Sequence, residues 1–358
     1  MQTQSKELSF EGQNIFVGLD VHLKSWNASI FTNDLHHKTF NAPPKAQSLS
    51  EYLKRNFPYA NYFSAYEAGF SGFWAHYQLE ALGIKNIVVN PADIPSTQKD
   101  KLQKTDRRDS RKIGKSLRAK ELEGIYIPST TMLEDRCLIR VRSSIVRDLT
   151  RIRQRIKSML YFFGIDFPAE FDKGNAHWTK RFILWLKTIK LQQTTGTDSL
   201  QLWVRTAEQL RTVLLEVNMK IRMLSKTERM AENYELITSV PGIGITTAML
   251  MLTEIGDIDR FENSDHFASF IGIVPTCRSS GEKESKGAIT PRRNNLMRKC
   301  LVESSWTAAR TDPALSLAFS EYCKRMDSNK AIVKIARKLA NRIYFVLKNK
   351  KKYELCVT

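Results

Sequence analysis

Four acidic residues in this chain have the types and spacing to do chemistry: Asp20, Glu67, Asp106 and Asp109. Asp20 closes the apolar run IFVGLD, Glu67 closes a second run, YFSAYE, and Asp106 and Asp109 stand three apart in KTDRRDSRKIGKSL. That last segment reads as helix, and residues three apart share a helix face. Two strand-end carboxylates converging with a helix-borne pair would gather negative charge that stays ionised only when divalent cations neutralise it. Two such cations suit phosphodiester cleavage, one polarising the attacking oxygen and the other the leaving oxygen. Taken singly, Asp20 could cap a turn, and Asp106 and Asp109 could pair with Arg107, Arg108 or Arg111 on a solvated helix. Glu67 is harder to set aside, because an acid directly after YFSAY at the end of a buried strand is costly unless a cation or partner satisfies it.

The elements that must position these acids follow from the patterning. IFVGLDV, WNASIFT and HKTFNA are strand-like runs joined by short polar turns, Thr32-Asn33-Asp34 among them. SLSEYLKRNF reads as helix, NYFSAYE as strand, SGFWAHYQLEALG as an amphipathic helix ended by Gly83, and KNIVVN as strand. The order βββαβαβα over residues 12–128 is that of the α/β ribonuclease H-like (RuvC-like) fold. Its acids come from the first strand, the fourth strand and a late helix.

Residues 129–230 change period. Leu138, Val141, Ile145, Leu149, Ile152, Ile156, Met159 and Phe163 recur at three- and four-residue steps, as do Trp203, Ala207, Leu210, Leu214, Val217, Ile221 and Leu224. Two heptad-like seams predict a helical coiled-coil spacer that folds as an antiparallel hairpin or pairs with a second copy. The outer face of the first helix carries Arg136, Arg140, Arg142, Arg147, Arg151, Arg153 and Arg155. Such a run is either a solvated face or a phosphate-binding one, and Arg140, Arg147, Arg151 and Arg155 are the candidates for nucleic acid.

Residues 231–358 read as a mainly α domain. Pro241-Gly242-Ile243-Gly244 between two short helices has the form of a helix-hairpin-helix turn, whose Gly242 and Gly244 would leave backbone N–H groups free for a phosphate. The same glycines also suit a plain connection. A loop dense in Lys and Arg follows, with Arg278 and Lys283 flanking Ser279-Ser280-Gly281 and with Arg298 beyond it. A basic amphipathic helix carrying Ile332, Ile335, Leu339 and Ile343 closes the chain.

Composition narrows the function. The 358 residues are 42% hydrophobic, enough for two or three packed domains, and 56 Lys and Arg against 37 Asp and Glu give a net charge of +19. An excess of that size attracts polyanions, DNA and RNA foremost. Cys137, Cys277, Cys300, Cys323 and Cys356 are scattered and odd in number, which argues against a disulfide framework and against structural zinc. No secretory leader or bilayer-length apolar run is legible, so a cytoplasmic protein without membrane contact is expected.

FVGLDVH, AYEAG, KTDRRDSRKI, SVPGIG, TEIGD, FIGIVP, RSSG and GAIT, ending in ARKLANRIYFVLK, carry a resemblance over nearly the whole chain. The chain resembles the DEDD transposases of the insertion-sequence 110 type, the bridge-RNA-guided serine recombinases. The resemblance implies a RuvC-like domain binding Mg2+, two ions, through Asp20, Glu67, Asp106 and Asp109. It also implies a transposase domain whose serine becomes covalently joined to DNA; that serine corresponds to Ser280, with Ser279 as the alternative. A structured noncoding guide RNA, target and donor DNA, and a homo-oligomer (dimer or tetramer) are implied as partners, with the serine of one protomer completing the metal site of another. The sequence departs from the family after GAIT, where Pro291, Arg292 and Arg293 replace the usual Lys and Gly; Asn294, Asn295 and Arg298 follow as polar positions.

A serine hydroxyl is a poor nucleophile unless a base or metal activates it. No His or Lys adjoins Ser280 at a diagnostic spacing, which leaves a carboxylate-bound metal as the activator. Without the family context, Ser279-Ser280-Gly281 reads more simply as a turn. Two other readings stay open: a structure-selective metal-dependent endonuclease, Holliday junction resolvase-like, in which water attacks and Ser280 is idle, and a non-enzymatic nucleic-acid-binding protein.

Overall fold

The computed structural model describes residues 9–95, 106–280 and 283–355. They form two compact units, Met1–Ile127 and Pro128–Thr358.

The first unit is built on a five-stranded sheet in the order β3-β2-β1-β4-β5, with β1 (Asn14–Val21), β2 (Trp26–Phe31), β3 (His36–Ala42), β4 (Asn61–Glu67) and β5 (Lys85–Val89). β1 pairs antiparallel with β2 and parallel with β4, so the chain switches from meander to crossover connections at the central strand. Its residues alternate between faces. Ile15, Val17, Leu19 and Val21 enter one core with Leu49 and Leu53 of α1 (Ala46–Asn56) and Ala75 and Leu79 of α2 (Trp74–Ala81). The opposite face carries Gly18 and Asp20 and is covered by α3 (Asp106–Arg118). Since helices lie on both faces, β2 is buried along its whole length, Asn27 and Ser29 included. Burying each large apolar side chain contributes about 1.5–3 kcal/mol, which fixes the β1 register that aims Asp20 at α3.

α3 lies directly on β1. A side chain at Gly18 would run into the Ser110 carbonyl and the Gly114 backbone, and one at Gly114 would stand 2.7 Å from the Phe31 ring. Ser110 Oγ and Ser29 Oγ are 2.9 Å apart, and Ser29 Oγ and Thr39 Oγ1 are 2.8 Å apart, so a short hydroxyl chain ties α3 to β2 and β3. Small residues here allow a backbone approach that any larger side chain would prevent.

In the second unit α4 (Thr130–Phe162), capped by Ser129, packs along α6 (Thr194–Leu224). Leu149, Ile152, Ile156 and Leu160 share a cluster with Leu200, Val204 and Ala207, whereas Ile139 and Ile145 cluster with Val217, Ile221 and Leu224. The pair is therefore antiparallel. α5 (Lys180–Thr188) buries Phe182 and Leu186 against its far end, an element that the sequence reading did not contain. The near end shares one core with α7 (Glu228–Thr238), α8 (Ile245–Ile255), α9 (Ser264–Ile271), α10 (Asn295–Thr311), α11 (Pro313–Cys323) and α12 (Ser328–Asn349). No helix among the described residues is long and apolar enough to cross a membrane.

The serine-bearing segment, expected as a loop, is a β-hairpin: β6 (Pro275–Ser280) pairs antiparallel with β7 (Lys283–Ile289). Its dense charge hides the alternation by which strands are recognised. Among the described residues the two strands pair only with each other.

Candidate metal centre and serine hairpin

Asp20 is reached from two directions. β1 carries it on the face under α3, and α3 presents Gly114, Ser110 and Asp106 at four-residue intervals along one side. Four helical residues rise about 6 Å, close to the ~6.6 Å of two strand residues, so the helix row and the strand row Gly18, Asp20, His22 stay in step. Contact at Gly18 and Gly114 therefore carries Asp106 to the Asp20 end. Ligand atoms of Asp20, His22 and Asp106 all lie within 4.8 Å of one another. His22 Nε2 is 3.2 Å from Asp20 Oδ1 and 4.0 Å from Asp106 Oδ2, and the side chains of Asp20, His22 and Asp106 are 22%, 40% and 64% exposed.

Burial raises the Asp20 carboxyl above its ordinary value; His22 opposes this, and the charges of Asp106 and Asp109 push it further up. Asp109 therefore acts electrostatically on Asp20 as well. Glu67 is brought beside Asp20 by strand register, while the ligand atoms that gather are those of Asp20, His22 and Asp106. Leu19 is opposite Tyr66 in the parallel β1–β4 ladder, and the next residues along are Asp20 and Glu67, on neighbouring strands about 4.8 Å apart. Tyr66 beneath them is fully buried, its phenol pushed up to about 12 mainly by burial, and its hydroxyl donates to Gly72 O at 3.0 Å. Two carboxylates and an imidazole drawn from a strand end and a helix start form a donor set suited to a divalent cation. The repulsion between the carboxylates gives them a reason to bind one.

His22 was not among the residues expected from sequence. Its signal was present in Asp20-Val21-His22, since residues two apart on an extended segment share a face.

Comparison with known proteins identifies the family. A DEDD transposase profile of the IS110 type matches residues 17–164, and a profile described as the transposase IS116/IS110/IS902 family matches residues 234–320. The chain belongs to the IS110-type DEDD transposases. It is 30% identical over 245 residues to the putative transposase y4qE of Sinorhizobium fredii, covering 68% of this chain and 58% of that relative. It is 26% identical to the transposase for insertion sequence element IS1111A of Coxiella burnetii, covering 76% of this chain and 74% of the relative. The transposase for IS1533 of Leptospira borgpetersenii is 23% identical, with 86% and 93% covered. Divalent-metal use comes with the DEDD family.

In this transposase Ser280 is the last residue of β6, paired with Lys283 across the hairpin end, and Ser279 is paired with Glu284. Gly281 lies outside the described residues. The hairpin base is held firmly. Arg298 Nη1 donates to Gly272 O and Thr290 O, both at 2.7 Å, and Thr290 N donates to Val274 O at 2.9 Å. Gly272 caps α9 at φ +86°, where a side chain would strike Arg292 and Arg293, the residues at which the sequence departs from its family. Arg298, expected to contact nucleic acid, thus has a positioning role of its own.

The arginines of α4 divide similarly. Arg140 Nε and Nη2 donate to Glu254 at 2.9 and 3.1 Å, and Glu254 is only 3% exposed. Asn294, the cap of α10, donates to the same carboxylate at 2.9 Å, and Arg136 Nε donates to Thr253 O at 3.0 Å. Arg142 donates to Asn218, and Arg153 and Arg155 lie over the rings of Trp178 and Trp203. Arg147 and Arg151 make exposed, local contacts with Ser144 and Asp148. The face that looked uniformly basic in sequence is largely committed to internal partners.

Gly242 likewise has a packing reason: at φ +85° its backbone lies against α10, and a side chain would meet Ser304 O at 2.6 Å. Gly244 caps α8 with nothing within 4 Å of a Cβ built on it.

Proposed function

We propose that this chain is the RNA-guided DNA transposase of an insertion sequence, cutting and rejoining strands through a serine-linked intermediate. The observation that carries the reading is the convergence of Asp20 with Asp106 and His22 at the end of the central strand. Asp20, Glu67, Asp106 and Asp109 would hold Mg2+, which when bound withdraws charge from the phosphate and makes a coordinated hydroxyl easier to deprotonate. The carboxylates position the scissile phosphate indirectly and, by their charge, keep other anions out.

In the first transfer the Ser280 oxygen forms a bond to phosphorus as the bond from phosphorus to the departing nucleotide oxygen breaks; the serine proton leaves and the departing hydroxyl gains one. In the second, a hydroxyl of the exchanged strand attacks the phosphoserine ester and frees Ser280. Energy of the phosphodiester is kept throughout, so religation needs no nucleotide triphosphate. The net charge of +19 supports DNA and RNA binding. Arg147, Arg151, Arg278, Lys283 and the Gly244 turn are the residues we assign to phosphates. Base pairing by a structured guide RNA would leave sequence choice outside the protein. A dimer or tetramer would let the serine of one copy serve the acids of another.

The test is a protein–DNA adduct that survives denaturation. It should form with the chain and guide RNA in Mg2+ and vanish with Ser280→Ala or Asp20→Ala. Cleavage persisting in Ser280→Ala without any adduct would establish water as the nucleophile. Undiminished recombination by Asp20→Ala would overturn the metal reading.

A further inference from the structure

We propose that His22 is a ligand of the divalent cation alongside Asp20 and Asp106, and that its nitrogen biases the site toward later first-row ions such as Co2+ over Mg2+. The inference rests on the carboxylate site proposed above and adds a residue and a selectivity to it.

One atom, His22 Nε2, is near both carboxylates: 3.2 Å from Asp20 Oδ1 and 4.0 Å from Asp106 Oδ2. An octahedral shell with bonds of about 2.1 Å sets neighbouring ligand atoms about 3 Å apart and opposite ones about 4.2 Å apart. The two spans to His22 fall in that range. A histidine serving only to brace Asp20 would need no proximity to a carboxylate from a different element. His22 directly follows β1 and Asp106 lies in the first turn of α3, so their approach is a product of the fold. The Phe70 ring lies beside the imidazole, with centroids 5.8 Å apart.

The donor type matters as well. A neutral imidazole adds a coordinating pair without adding charge to a cluster already crowded with carboxylates. Carboxylate and water ligands suit Mg2+, whereas imidazole nitrogen favours ions further along the first transition row. A carboxylate site joined by one imidazole would therefore discriminate more strongly than carboxylates alone.

The experiment is calorimetric titration of the purified full chain with CoCl2 and separately with MgCl2, accompanied by the visible absorption of bound Co2+. Wild type should bind Co2+ at least about tenfold more tightly than Mg2+, and His22→Ala and His22→Gln should each lose about tenfold or more in Co2+ affinity while Mg2+ affinity changes far less. Thermal midpoints in chelator confirm that the variants fold. Loss of affinity for both ions alike, or for neither, overturns the role of His22. Asp20→Asn is the reference: it should abolish binding of both ions. If Asp20→Asn abolishes binding but the His22 variants keep the wild-type Co2+ to Mg2+ ratio, the carboxylate site stands and the His22 proposal falls. If Asp20→Asn binds both ions as wild type does, the carboxylate site itself is refuted.

Discussion

Gly18 and Gly114 are in direct backbone contact: a Cβ on Gly114 would stand 3.0 Å from the Gly18 nitrogen, and one on Gly18 would collide with the Gly114 backbone. This contact is the fulcrum of the metal centre, because it sets the height at which Asp106 meets Asp20. Gly18→Ala should lift α3 from β1. Overpacking of this kind costs about 1–3 kcal/mol, so a fall in the thermal midpoint is expected together with weakened metal binding. Gly12→Ala, where nothing lies within 4 Å of the added carbon but φ is +76°, is the comparison. It should lower the midpoint through backbone strain yet leave metal affinity unchanged.

Asp20 carries a penalty in the metal-free protein, since burial and the charges of Asp106 and Asp109 all disfavour its ionised form. Asp20→Asn should therefore raise the thermal midpoint at neutral pH in chelator while eliminating strand cleavage. A lower midpoint in chelator would show that His22 compensates the charge more than burial opposes it.

Arg140 and Arg147 stand about two turns apart on α4 with opposite expected consequences. Arg140→Ala strands the buried Glu254 with one fewer partner; removing one member of a buried pair costs about 3–5 kcal/mol, reduced here because the Arg140 side chain is 53% exposed and Asn294 remains. Stability should fall clearly. Arg147→Ala should leave the midpoint within about 0.5 kcal/mol but weaken nucleic-acid binding and lower the salt slope by about one. Affinity measured across a salt series, with melting curves for both variants, distinguishes them.

Arg298→Met removes the donor that joins Gly272 O to Thr290 O at the hairpin base. Hydrogen bonds to charged groups contribute about 1.5–3 kcal/mol, so a modest loss of stability is expected. Adduct formation by Ser280 should fall by more than stability alone explains, because the hairpin would lose its orientation. Stability reduced with adduct formation intact would limit Arg298 to a structural role.

Much of this protein could be read from its residues. Alternation marked the strands of the first unit, three- and four-residue recurrence marked α4 and α6, and the strand-end and helix positions of Asp20 and Asp106 marked two of the residues that meet. These are local properties, set by backbone geometry and by which side chains must leave water. The hairpin of Ser280 escaped because charge conceals alternation, and α5 escaped because its short apolar run has no long period. The partners of the arginines were out of reach for a deeper reason. Arg140 meets Glu254 across 114 positions of sequence, and His22 meets Asp106 across 84, so only the packing of helices and strands decides whether such charges face each other or water. Residue type and period determined which elements form and which side chains could coordinate a cation; tertiary structure, through the small-residue contact of α3 on β1, decided which of them converge.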